Sequence, residues 1–579
     1  MSALEDDARD VSADEPAEPA CEGETPHDIP VRRFVADVLL LLAIYAPIRL
    51  ALFFPTFGLK FLPFELAHRP LTLPESAYAE PLVFPAALTH LPTLPWYVLS
   101  AGFVAAHFWA HPKNPLHRKL SWGLGEAPGL RWVALALMLP IVWKYGTMDV
   151  NLYFDQAHLL DRALLFGLWI GTAFTPLALP FLLAFGATFA SQLYYPDIFH
   201  FTWADKAVLF YSALLIWVGL IYSRLRRVHP GMLPALIIAC FGSFYFAPGF
   251  AKLNLTPMPW DWLLGNPIEG LFIGAYVNGW LAGVDLSLIE RIAAFLGQTS
   301  VLHTGFTMCL ELLIPLLLLH RYLALGFLSA AVLFHLGVVA SSGIFFWEWA
   351  VPELALIACL IGPWKAPEIA SVFARPERFL TPVLIVFALP VFWPFHLGWL
   401  DATYFYSYDL RVTEESGEVL ELNRGQLDPY NLPMTQNRFA FLVDRPTIPQ
   451  GSYGAVTDYA LQQAILGAES LEEIEALYAD FAVNAYDPEK RDTFELFLQR
   501  TFANERAHGG RTNVVPFLES FHHQYETHGE RRAQPRTPVV MVEVLMRTYW
   551  FDGAKLHATG DEVIFEVDIP DEAPPIPFD

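Results

Sequence analysis

Long apolar runs dominate the first 400 residues, and period-two alternation appears only after them. A helix that spans a bilayer needs about 20 mostly apolar residues. Runs that approach this are Phe34–Phe54, Thr93–Ala110, Leu130–Ile141 extended to Trp143, Ala163–Ala190, Lys206–Tyr222, Met232–Phe250, Leu302–Leu319, Tyr322–Ser341, Phe346–Ile361 and Leu380–Leu400. The run Ala163–Ala190 is interrupted by Thr175-Pro176 and Leu179-Pro180. It reads as a broken pair of half-helices or a re-entrant segment, which is tolerated where protein buries it. From Asp401 onward the pattern changes. Tyr404–Leu422 alternates as a β-hairpin turning at Ser416-Gly417. Residues 457–482 and 488–506 have the spacing of amphipathic helices. Val539–Trp550 and Val563–Val567 read as strands joined by a turn near Asp552-Gly553. The expected architecture is a polytopic α-helical integral membrane protein of 9–11 spans with a mixed α/β soluble C-terminal domain. Its divisions are a disordered acidic tail (1–30), a multi-span transmembrane domain (31–400) and a soluble region (401–579).

Charge decides the orientation. Arg32-Arg33 precedes the first apolar run, and loop 111–129 carries Lys113, Arg118 and Lys119. Both sit on the cytoplasmic side if positive charge stays inside. Simple alternation then puts Arg224, Arg226 and Arg227 outside, together with Arg321, Arg375 and Arg378. A single parity change between residues 130 and 206 repairs all three violations. The interrupted run Ala163–Ala190 is the place for it, so nine or eleven crossings are expected rather than ten. The N-terminus is then cytoplasmic. Lys252, His303, the outer half of Tyr322–Ser341 and the C-terminal region are external.

Composition agrees with a membrane protein carrying some soluble mass. The 579 residues are 54% hydrophobic and only 17% charged, with a mean hydropathy of +0.36. Soluble domains are typically about 25% charged. The formal net charge of −24 argues against a nucleic-acid partner, which calls for a basic surface. Residues 1–29 hold ten acids against Arg9 and show no signal-peptide pattern. The four cysteines (Cys21, Cys240, Cys309, Cys359) have no zinc or CxxC spacing. No metal site is expected.

Ionisable groups inside spans are costly, which makes them functional candidates. In the later spans they are Lys252, His303, Glu311, His335, Glu348 and Glu353. Lys252 follows Pro248 and Gly249 in YFAPGFAKLNLTPMPWDW (Tyr245–Trp262). One reading is an anchor that snorkels to the headgroups beside Trp260 and Trp262. The other is a desolvated amine acting as a base. His335 is either a helix–helix hydrogen bond or a proton shuttle and oxyanion donor. Glu311 is expected to be a structural partner of His303, which shares its face at i, i+4, i+8 through Thr307. Glu348, between two tryptophans, is expected at the interface. His200, before Trp203, and the pair His522-His523 have bland readings as packing and a solvated face.

Three segments together resemble the vitamin K-dependent γ-glutamyl carboxylase family, whose bacterial members carry the horizontally transferred transmembrane (HTTM) domain. They are Tyr245–Trp262, Cys309–Arg321 (CLELLIPLLLLHR) and Val332–Phe346 (VLFHLGVVASSGIFF). They are similar in order and spacing to the family's lysine motif, its E-L-x-x-P segment and its H-x-G helix. The resemblance covers roughly 34–400. It implies a membrane enzyme that epoxidises a reduced, vitamin K hydroquinone-like quinone with O2 and couples this to glutamate carboxylation by CO2. Lys252 matches the base, His335 the later histidine, and His200 stands nearest a histidine that stabilises an intermediate. The cofactor pocket would involve Trp260, Trp262, His303 and Glu311. The implied partners are the lipid bilayer and a protein or peptide substrate at the external face. Where the carboxylase has two adjacent lysines, the first position here is Ala251. The alternative from another class is a non-enzymatic transporter or assembly factor, for which paired broken helices in two similar halves are expected. The enzyme reading requires Lys252 to face protein and to lie within about one leaflet of His335.

Overall fold

The computed structural model describes residues 30–53, 72–109, 128–198, 204–226, 228–229, 231–361, 369, 371–373, 377–392, 394, 398–423, 427–430, 434, 439–510, 514, 532–533 and 535–578. The acidic tail, His200 and His522-His523 lie outside these. The principal helices up to residue 400 are α1 (Val31–Phe53), α2 (Leu94–Trp109), α3 (Pro128–Thr147), α4 (Leu159–Phe174), α5 (Leu179–Ala190), α6 (Ala204–Leu225), α7 (Met232–Lys252), α8 (Asp261–Gly265), α9 (Ile268–Val277), α10 (Leu286–Gln298), α11 (Ser300–Leu313), α12 (Arg321–Ser342), α13 (Trp347–Ile361) and α14 (Glu377–Phe387). Among the described residues, five helical segments are long and apolar enough to cross a membrane: Pro176–Tyr194, Lys206–Ser223, Met232–Lys252, Ser300–Leu317 and Arg321–Ser342.

These five differ in where their side chains go. The first three are 83–89% buried, whereas Ser300–Leu317 is 33% buried and Arg321–Ser342 only 22%. The two outer helices therefore turn leucine and phenylalanine away from the protein. The central helix is α7, which packs against α6, α11 and α14.

Local chemistry explains the breaks. The interrupted run parts where expected. Thr175 is extended, its hydroxyl accepts from the Leu177 amide at 3.2 Å, and Pro176 starts a short 3-10 turn before α5. The run Leu302–Leu319 is not one α-helix, because Pro315 falls in a 3-10 stretch, Ile314–Leu319, that follows α11. The run Leu380–Leu400 is not a single span either. α14 ends at Phe387, a four-residue helix Leu389–Phe392 follows, and Pro390 interrupts the pattern. The loop before α4 is fixed by Arg162, whose guanidinium donates to the carbonyls of Ala157 (2.6 Å), Met148 and Asp149 (3.0 Å).

Among its described residues the C-terminal region holds α15 (Tyr459–Gly467), α16 (Leu471–Phe481), α17 (Pro488–Ala507) and five strands. The strands are β1 (Tyr404–Glu414), β2 (Val419–Leu422), β3 (Arg532–Ala533), β4 (Val539–Phe551) and β5 (Leu556–Asp568), in the order β3-β2-β1-β4-β5. The hairpin at Ser416-Gly417 forms as expected, with Gly417 at φ +83°. The helix expected over 457–482 splits in two. Ser470 caps α16 through the Glu473 amide at 3.3 Å, and the Glu473 carboxylate reaches back to the Glu469 amide at 2.8 Å. The last two strands run longer than their apolar cores suggest. Asp552 closes their turn by accepting from the amides of Ala554 and Lys555. β1 is buried on both faces: Phe405 joins Phe272 and Ile273 of α9, while Tyr408, Leu410 and Val412 face the aromatic core of α17.

The two regions share a close junction. Gly270 and Gly274 sit one turn apart on α9, and a Cβ there would come within 2.4 Å of the carbonyl oxygens of Ala402 and Tyr453, respectively. Only glycine lets those backbones lie against the helix. Asn266 and Asp401 bond reciprocally: the Asn266 amide donates to the Asp401 carboxylate at 2.6 Å, and the Asp401 N–H donates to the Asn266 side chain at 2.8 Å. Gln462 of α15 donates to the Asp401 carbonyl at 2.8 Å. On the other flank, Arg500 and Asn504 of α17 donate to the carbonyls of Tyr153 and Leu152, each at 2.7 Å.

Candidate functional site

One face of α7 carries two polar clusters inside the bundle. At its end, the Lys252 amine donates to both oxygens of Glu311 on α11, at 2.6 and 2.7 Å. Both residues are only 6% exposed. The indole of Trp262 lies beneath the amine, 5.2 Å from nitrogen to ring centre. Its N–H donates to the Trp399 carbonyl at 3.1 Å. Gly249 makes this pairing possible. A Cβ there would sit 2.8 Å from the Cβ of Glu311, so the glycine three residues before the lysine lets α11 close on α7.

The second cluster starts at Tyr245, two turns earlier and about 10 Å along the axis at 1.5 Å per residue. Its hydroxyl donates to Glu353 of α13 and lies 2.7 Å from Nε2 of His335 on α12. His335 and Glu353 are themselves 3.4 Å apart. Trp349 and Phe346 pack on the imidazole. Nδ1 of His335 and the second oxygen of Glu353 are buried with no hydrogen-bond partner among the described residues. Among the described residues, Tyr245 is also the one polar side chain lining a narrow apolar cleft formed with Phe241, Leu317, Leu328, Ala331, Leu356 and others.

Of the sequence candidates, Lys252, Glu311 and Trp262 meet directly, and His335 lies nearby on the same face of α7. Trp260 does not join them. It is 55% exposed, because it and Trp262 are two residues apart at the start of a helical turn and so point to different sides. His303 is exposed, and Glu311 pairs with Lys252 instead. Eight residues carry a helix about 80° beyond two full turns, and the buried face of α11 runs through Thr304, Met308 and Glu311. Glu348 does not face outward. It is 1% exposed and 4.0 Å from the fully buried Lys206, because its helix begins inside the bundle. Tyr245 and Glu353 are the participants to which the sequence assigned no role. Both were visible as polar groups within apolar runs.

Beyond the helices, Asp401 adjoins the lysine pocket through Trp399 and Asn266. Burial pushes its carboxyl up to about 6, opposed by its hydrogen bonds to Asn266 and Trp399 and by the Lys252 charge.

The arrangement can hold a proton between an amine and a carboxylate in an apolar setting, with a hydroxyl–imidazole–carboxylate group on the same helix. Comparison of the chain with protein-family models, with curated proteins and with solved structures finds no match.

Proposed function

We propose that the chain is a polytopic integral membrane enzyme of the carboxylase-like kind, whose Lys252–Glu311 pair deprotonates a lipid-soluble reduced quinone. One observation carries the reading: the Lys252 amine is enclosed by protein, held by a single carboxylate and covered by an indole. A lysine that served only as a headgroup anchor would reach outward to water. The five membrane-length helices and the outward apolar residues of α11 and α12 support a bilayer setting. The proposed orientation keeps the N-terminus cytoplasmic and the C-terminal region external, following the charge pattern of the loops.

The chemistry follows from charge balance. An ammonium beside a carboxylate and an amine beside a carboxylic acid are both neutral overall. An apolar enclosure penalises charge separation, which brings the second form within reach. In that form the Lys252 nitrogen has a free electron pair. It accepts the proton of a quinol hydroxyl: the O–H bond breaks, an N–H bond forms, and the electron pair stays on the quinol oxygen. The new ammonium then faces the quinolate it created. The resemblance implies that this anion reacts with O2 and that the strong base formed drives glutamate carboxylation by CO2. Tyr245 and His335 are the proposed polar support for the developing oxyanion.

The rival reading makes Lys252–Glu311 a structural pin in a non-enzymatic membrane protein. The two-toothed hydrogen bond favours it, since such geometry also locks α7 to α11. Quinol turnover by purified protein in lipid nanodiscs separates them. The enzyme reading expects epoxide formation by the wild type and its loss in Lys252→Ala. Equal turnover by both proteins removes the lysine from the mechanism.

A further inference from the structure

The helix α10 has more apolar surface than the protein covers. Ile289 and Ala293 face inward and are fully buried in a small core with Phe272, Ile273 and Phe551. Beside them runs a second stripe, Leu288, Ile292 and Phe295, at i, i+4 and i+7. Leu288 and Phe295 are exposed, the latter by 60%, while Ile292 between them is half-buried against the same core. Ser287, Arg291 and Gln298 occupy the remaining outward arc and are also exposed. The apolar arc is therefore divided between protein and surroundings, with a polar arc opposite. At 13 residues the helix is about 20 Å long, too short to span a bilayer core of about 30 Å.

The stripe does not end with the helix. Thr299 alone separates α10 from α11, whose first turns expose Val301, Leu302 (73%) and Phe306. Outward apolar residues are thus found on both the membrane-length helix and the short amphipathic one that precedes it. Trp280, just before α10, donates its indole N–H to the Ala340 carbonyl at 3.2 Å. That contact sets the segment level with the last turn of α12, the end nearer Lys252 and the C-terminal region.

We propose that α10 lies flat in the outer membrane interface, with Leu288 and Phe295 among lipid chains and Arg291 at headgroup level. This inference rests on the membrane reading above and goes beyond it. The occupant assigned to the stripe is lipid, because Leu288 and Phe295 stand beside the outward apolar residues Val301, Leu302 and Phe306 of α11, with only Gln298, Thr299 and Ser300 at the join. α10 also supports the C-terminal sheet: Glu290 accepts from the amide of Leu556, the first residue of β5, at 3.1 Å. The first residue of β5 is thereby tied directly to the proposed interfacial helix.

The test places the photoreactive p-benzoylphenylalanine at position 288 or 295 of the full chain in phosphatidylcholine nanodiscs. Position 333 on α12, where Leu333 is 65% exposed, serves as the lipid-facing control. Position 563 on β5 serves as the water-facing one. After irradiation, mass spectrometry is expected to find lipid adducts at 288, 295 and 333 and none at 563. Adducts at 333 without adducts at 288 and 295, or a crosslinked dimer through 295, would overturn the interfacial helix and leave the membrane reading standing. Absence of adducts at 333 as well would overturn both.

Discussion

Replacing Glu311 by glutamine leaves the buried Lys252 ammonium without its counter-charge while keeping the shape of the site. Lys252 and Glu311 are both 6% exposed, and each Glu311 oxygen takes a hydrogen bond from the amine. Removing one partner of such a buried pair typically costs about 3–5 kcal/mol, since an uncompensated charge remains in an apolar setting. Replacing both by apolar residues of similar volume is neutral or even stabilising by about 1–4 kcal/mol. The account therefore expects Glu311→Gln to lose about 3–5 kcal/mol and the double variant Lys252→Met/Glu311→Leu to recover most of it. Equilibrium unfolding in mixed detergent micelles, run as a double-mutant cycle, measures the coupling. A single-variant cost below about 1 kcal/mol, or a double variant as unstable as the sum of the singles, refutes the buried pairing.

Gly270→Ala puts a Cβ 2.4 Å from the Ala402 carbonyl and is expected to cost about 1–3 kcal/mol by overpacking. Gly337→Ala, where nothing lies within 4 Å, is expected to be neutral or slightly stabilising in the same thermal-unfolding assay. The Asp401 carboxyl, raised from 3.8 to about 6 by burial, stabilises the fold in its protonated form. Its contribution, on the order of 2–3 kcal/mol, is fully present below pH 3.8 and is lost as pH rises through about 6. Stability measured across that window should fall with pH in the wild type more than in Asp401→Asn, which mimics the protonated acid. Tyr245→Phe strands Nε2 of His335 and an oxygen of Glu353. It is expected to cost about 1–3 kcal/mol and to depress quinol turnover while the Lys252–Glu311 coupling persists. Unchanged turnover in Tyr245→Phe would remove the second cluster from the chemistry.

Much of the helical part was legible because its signals are local. A run of apolar residues makes a helix wherever it lies, and Thr175-Pro176 breaks one by removing an N–H. The Gly417 hairpin and the Asp552-Gly553 turn are equally short-range. Pairing across helices is different. Lys252 and Glu311 both stood out as charges in apolar runs, yet nothing in their spacing tied them together. Spacing of i, i+4 and i+8 points Glu311 at His303, but the drift of the helix over eight residues turns His303 outward. Glu348 carries the same lesson, since its partner Lys206 lies on a helix far away in sequence. The role of Gly249 emerged only with α11 against it.

If Lys252 removes a proton from a reduced quinone, the rate to measure is epoxide formation from a vitamin K hydroquinone-like substrate under O2, by nanodisc-reconstituted wild type and by Lys252→Ala, after both are shown to be folded. General-base catalysis contributes about 10²–10⁴-fold, and a drop of that size is the predicted result. A folded wild type that leaves the quinol unchanged, or a variant that matches its rate, would contradict the account.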